Sequence, residues 1–84
     1  MLNIGFVKRG KAYYFWRAIN HARKAEDCIG GGRVKKVLVY KDDKVIAYKD
    51  KDQELLPKNE FVKCLVKALV ERYEWEGENY EKGL

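Results

Sequence analysis

A single histidine, His21, stands in the whole chain. That scarcity excludes the histidine pairs and clusters on which most zinc centres are built. It also leaves acid–base chemistry to one imidazole with no carboxylate partner at a helical or strand spacing. Cysteine is equally sparse, with only Cys28 and Cys64. They are far apart and form no ligand pair; their number alone allows one disulfide, but two isolated thiols without a secretory signal point to the reduced state, and neither has an activating base nearby. Both are expected as reduced, half-buried packing residues. No apolar run approaches the ~20 residues of a membrane helix, and no charged region precedes an apolar core at the N-terminus. The expectation is a cytosolic protein with no membrane partner, either cellular or made in the cell by a virus or plasmid.

The loops rich in aspartate or glycine lack the pattern that holding a ligand requires. Asp42, Asp43, Asp50 and Asp52 lie in turns, where aspartate bonds its own backbone. They miss the glycine and the terminal glutamate of a calcium loop. Gly30-Gly31-Gly32-Arg33 resembles a phosphate cradle only in composition. A phosphate loop leads into a helix N-terminus, whereas these glycines leave one predicted element and enter a strand. With no catalytic constellation, the chain reads as non-enzymatic, without cofactor or metal.

What the sequence does have is charge, unevenly placed. The formal net charge is +5 over 84 residues. Residues 1–36 hold nine Lys or Arg against Glu26 and Asp27, a formal +7, while residues 37–84 hold nine against eleven acids, a formal −2. A basic half in one small domain points to an anionic partner, either nucleic acid or an acidic protein surface. The domain is expected to span residues 1–76, with an acidic tail over 77–84.

Hydrophobic patterning gives the elements. Leu2 to Trp16 reads as a hairpin around Lys8-Arg9-Gly10. A three-residue loop ending in glycine is a favoured connection. That register collects Leu2, Ile4, Phe6, Ala12, Tyr14 and Trp16 on one face, and Asn3, Gly5, Val7, Lys11, Tyr13 and Phe15 on the other. Asn20 is placed to cap a short helix over Asn20–Ile29, which Gly30-Gly31-Gly32 would end. A rival parse starts that helix near Tyr13, but successive aromatics suit a strand better. Val34–Tyr40 and Val45–Lys49 form a second hairpin around Asp42-Asp43, with neither face cleanly polar. A polar loop over 50–54 follows.

Pro57 then introduces the strongest helix, about Lys58 to Trp75, with an apolar stripe of Phe61, Val62, Leu65, Val66, Leu69, Val70 and Tyr73. The order β-β-α-β-β-α implies a two-layer α+β domain. In it, an antiparallel sheet of about four strands is covered by the long C-terminal helix.

The binding signals follow from that arrangement. If the helix covers one face of the first hairpin, the other displays Tyr13 and Phe15 beside Lys11 and Arg17, near Lys8 and Arg9. Rings flanked by cations on an open sheet suit single-stranded nucleic acid, since bases stack while phosphates meet Lys or Arg. Arg23, Lys24, Arg33, Lys35 and Lys36 would extend the positive surface. The competing structural role is packing: Tyr13 would cover the cross-strand Gly5, and Phe15 would lie beneath the first helix. The topology is not that of the common RNA-recognition domain. The alternative function is protein–protein interaction, as a virus- or plasmid-encoded inhibitor or a sheet-edge homodimer. Val37, Val39, Ile46 and Tyr48, or their opposite-face neighbours, would then form the contact.

Overall fold

Two tight turns set the architecture, because each closes a long hairpin. The computed structural model describes the backbone of residues 1–82 and the side chains of residues 1–78. β1 (Leu2–Arg9) and β2 (Ala12–Asn20) are joined by Gly10-Lys11 alone, with Arg9 opposite Ala12. Gly10 takes a φ of 60°, the positive value that the first central position of a two-residue hairpin turn requires. β3 (Val34–Lys41) and β4 (Lys44–Asp50) are joined by Asp42-Asp43, as the sequence implies. Both aspartates adopt positive φ, 52° and 63°, the requirement of a type I′ turn. A short β5 (Glu54–Leu55) completes a five-stranded antiparallel meander in the order β1-β2-β3-β4-β5.

The left-handed conformation costs an L-residue about 1–2 kcal/mol, which glycine avoids at the expense of about 0.5–1 kcal/mol of chain entropy. Asp43→Gly is therefore expected to stabilise the protein by about 0.5 kcal/mol, raising the thermal midpoint by roughly 2–4 °C. A lowered midpoint in thermal denaturation would refute this account of the turn.

One helix, α1 (Glu60–Lys82), covers one sheet face. Asn59 caps it: its Oδ1 accepts from the amides of Phe61 at 2.9 Å and Val62 at 3.3 Å, satisfying donors that have no partner in the first turn. Val62, Val66, Leu69 and Tyr73 point into the core at helical spacing. They meet Tyr14, Trp16 and Ala18 of β2, Val34, Val37 and Val39 of β3, and Ala47 of β4. The stripe read from the sequence is thus the buried face. The helix continues past Trp75 because Gly77 is packed against the chain beside it. A Cβ there would lie 2.9 Å from Arg33 Cδ and 3.0 Å from the His21 carbonyl oxygen. The side chains of the acidic tail beyond Glu78 lie outside the described residues.

Three expectations are corrected. First, the sheet has five strands rather than four, and residues 20–29 do not form a helix. Between β2 and β3 the chain is irregular, with one turn of 3-10 helix over Ile29–Gly31. A two-and-a-half-turn helix is marginal without a packing surface, and α1 already occupies the covered face. Asn20 ends β2 instead of capping a helix. Its side chain is buried, donates to the Tyr73 carbonyl at 3.1 Å and accepts from Asn3 Nδ2 at 2.9 Å.

Second, the register of the first hairpin is shifted by three residues, an odd number. With a two-residue turn, Trp16 rather than Tyr13 lies opposite Gly5. Because strand side chains alternate, the shift turns the whole outer row of β1 over. Leu2, Ile4 and Phe6 leave the core face, which instead receives Asn3, Gly5 and Val7. A Cβ on Gly5 would sit 2.3 Å from Trp16 Cζ2, and the indole Nε1 of Trp16 donates to the Tyr73 hydroxyl at 3.3 Å. Gly5→Ala must displace a buried, tethered ring. It is expected to destabilise by about 1–3 kcal/mol, read as a lower urea midpoint. An unchanged midpoint would mean that Trp16 does not rest on Gly5.

Third, the cysteines are not alike. Both are free thiols, but Cys28 is buried and Cys64 is exposed on α1.

Candidate functional site

Among the described residues, no element covers the sheet face opposite α1. The two-residue turn at Gly10 gathers on it Leu2, Ile4, Phe6 and Lys8 from β1, and Tyr13, Phe15, Arg17 and Ile19 from β2. β3 adds Leu38 and Tyr40, which lie opposite Arg17 and Phe15. Leu2, Ile4, Phe6, Tyr13 and Phe15 are 55, 67, 61, 47 and 50% exposed. Large apolar side chains in such number on one face make it the leading candidate for an interaction surface.

Within this face the rings form a group. Phe6 lies 6.3 Å from Tyr13 and 5.8 Å from Phe15, centroid to centroid, with tilted planes. Cations sit against the same rings: Lys8 Nζ is 5.5 Å from the Tyr13 centroid, and the Arg17 guanidinium is 5.8 Å from that of Tyr40. A shallow concavity of about 920 Å³ opens here, lined by Lys11, Tyr13, Phe15, Arg17, Tyr40 and Lys41. Asp42 and Asp43 border it at the hairpin tip.

The structure divides the residues named from sequence. Lys8, Lys11, Tyr13, Phe15 and Arg17 come together at this end of the open face. Lys36 lies further along, opposite Ile19 and Asp50. Its neighbour Asp50 accepts hydrogen bonds from the Tyr48 hydroxyl and from the amides of Asp52 and Gln53. These bonds, led by the tyrosine, hold the Asp50 carboxyl below the usual carboxylate range. That end of the face is thus charge-balanced. Arg9 turns to the helix side, its guanidinium 4.6 Å from the Phe61 ring centroid. Arg23 and Lys24 are exposed in the β2–β3 connection, at the opposite end of β2 from Tyr13.

Two of the basic residues are already paired. Lys35 is the extra residue where the β2–β3 register shifts, and it pairs with Asp27 at 3.7 Å. Arg33 is buried and pairs with Glu74 at 3.5 Å, while its Nε donates to the Ala22 carbonyl. It is a structural residue, not part of a surface. Phe6 and Tyr40 were missed. The register expected for a three-residue loop puts Phe6 in the core, and only strand pairing brings Tyr40 beside Phe15.

A second cluster lies in the β2–β3 connection. One ligand-type atom from each of His21, Asp27 and Cys28 falls within 4.8 Å of the other two. The Cys28 thiol donates to Asp27 Oδ1 at 3.7 Å. Burial, and after it the Asp27 carboxylate, push this thiol above its ordinary range. It is therefore not an activated nucleophile. No helix among the described residues is long and apolar enough to cross a membrane. Comparison of the chain with protein-family models, curated proteins and solved structures returned no match.

Proposed function

We propose that the protein is a small binding module, not an enzyme, whose open sheet face takes single-stranded nucleic acid. The observation that carries this is the group of exposed Phe6, Tyr13 and Phe15 beside the half-buried Tyr40, with Lys8 and Arg17 against two of the rings. Bases stack on such rings regardless of sequence, and each stacked base contributes about 1–3 kcal/mol. The cations neutralise phosphates beside the stack and release counterions. A flat sheet with rings spaced one strand apart suits an unstacked strand better than a duplex, whose bases are not accessible to it.

Fluorescence anisotropy with labelled single-stranded and duplex oligonucleotides, titrated with salt, tests this. The single strand is expected to bind more tightly than the duplex. The logarithm of its affinity should fall linearly with the logarithm of salt, by about 0.7 per phosphate contacted. No binding to either probe at low salt would refute nucleic-acid recognition.

One observation favours a second reading, a sheet-edge homodimer. β1 is an eight-residue edge strand without proline or a register shift, and it exposes Leu2 and Ile4, which stacking does not use. Such an edge pairs readily with another strand. A monomer by light scattering at high protein concentration would remove that alternative.

A further inference from the structure

We propose that His21, Asp27 and Cys28 bind a zinc-class divalent cation that staples the connection between β2 and β3. This inference is independent of the nucleic-acid reading, since the cluster lies at the far end of β2 from the aromatic rings.

The geometry fits such an ion. Around a tetrahedral zinc with ligand bonds of about 2.3 Å to sulfur and 2.0 Å to oxygen, the two ligand atoms lie roughly 3.5 Å apart. Cys28 Sγ and Asp27 Oδ1 are 3.7 Å apart. All three candidate ligand atoms lie within 4.8 Å of one another, so closing the site requires side-chain adjustment rather than refolding. The donor set selects the metal. A thiolate, an imidazole and one carboxylate suit zinc and its neighbours, whereas calcium and magnesium demand oxygen shells.

Backbone ties place the ligands. The His21 amide donates to the Arg33 carbonyl at 2.8 Å, and the Cys28 amide to the Ala25 carbonyl at 3.2 Å. Gly77 of α1 packs against the His21 carbonyl. Between these anchors the connection has no strand or α-helix: the Ala25 amide donates across it to the Gly32 carbonyl at 2.9 Å, and the rest is turn hydrogen bonds and one 3-10 turn. A bound ion would supply the cross-link that regular structure does not.

Binding balances in charge and protons. The Cys28 thiol releases its proton to solvent as the sulfur–metal bond forms, His21 binds through the lone pair of the neutral imidazole, and water fills the fourth position. The thiolate and the Asp27 carboxylate together neutralise the dication. Asp27 gives up its exposed contact with Lys35, which costs little because such pairs are weak.

Cobalt titration of the metal-free full-length chain provides the test. The wild-type protein is expected to bind one equivalent of cobalt with thiolate-to-cobalt absorption in the near ultraviolet and visible bands of tetrahedral intensity. Zinc should then displace it. Cys64→Ser should behave as wild type. Cys28→Ser should lose the charge-transfer band, and His21→Asn should weaken binding by about tenfold or more. Far-UV circular dichroism checks folding, and His21→Asn decides the matter if Cys28→Ser does not fold. Absence of the band in wild type, its survival in Cys28→Ser, its loss in Cys64→Ser, or unchanged affinity in His21→Asn overturns the site.

Discussion

Replacing Tyr13 and Phe15 together by alanine is expected to cut affinity for a single-stranded oligonucleotide by roughly 30-fold or more, about 2 kcal/mol at the low end for two lost stacking partners. The fold should survive, since both rings are about half exposed on the face opposite the core. The thermal midpoint therefore serves as the internal control. Lys8→Gln and Arg17→Gln should act differently. Each removes a charge beside a ring, so each should flatten the salt dependence by about 0.7 where it contacts a phosphate. The two kinds of variant separate stacking from charge. Wild-type affinity in the double alanine variant, measured on folded protein, would exclude the rings as the binding platform.

Glu74→Ala is expected to cost about 3 kcal/mol, toward the lower end for breaking a buried ion pair because the glutamate is partly solvated. The Glu74 side chain is 33% exposed and that of Arg33 is 11%. Its two carboxylate oxygens accept from the Arg33 amide at 2.8 Å each, and Oε2 also accepts from the Val34 amide at 3.2 Å. Its loss leaves the start of β3 without that acceptor and removes a carboxylate from beside the buried Arg33 guanidinium. For a small domain with total stability of about 5–15 kcal/mol this is a large fraction. Glu74→Gln keeps an acceptor oxygen but not the charge, and should fall between wild type and alanine. Urea denaturation measures both. A loss below about 1 kcal/mol in Glu74→Ala would mean that the helix and the β2–β3 connection are not coupled through this residue.

The open face was legible in part. Tyr13, Phe15, Lys11 and Arg17 could be placed beside one another because they follow in sequence and alternate along one strand. Phe6 and Lys8 could not be added, since that required the register of a hairpin whose turn, Lys8-Arg9-Gly10-Lys11, suits a loop of two residues or of three. The contacts that decide it lie elsewhere in the chain. Trp16 rests on Gly5 and reaches Tyr73 on α1, and no local pattern encodes a contact 57 residues away. The metal-type cluster was hidden for a related reason. In a helix His21 and Cys28 would sit about 10 Å apart along the axis, and only the irregular path of the connection brings them together.

The sequence by itself determined the α+β class, a second hairpin around Asp42-Asp43 though not its register, and the helix stripe from Phe61 to Tyr73. Each depends on periodicity or turn chemistry within a few residues of itself. The tertiary structure decided which way β1 faces, that residues 20–29 do not become a helix, and that Arg33 is an anchor for Glu74 rather than a surface charge. These outcomes depend on what the sheet meets across its core. A shifted hairpin register or an unsupported short helix differs little in local energy, and burial against α1 selects between the alternatives.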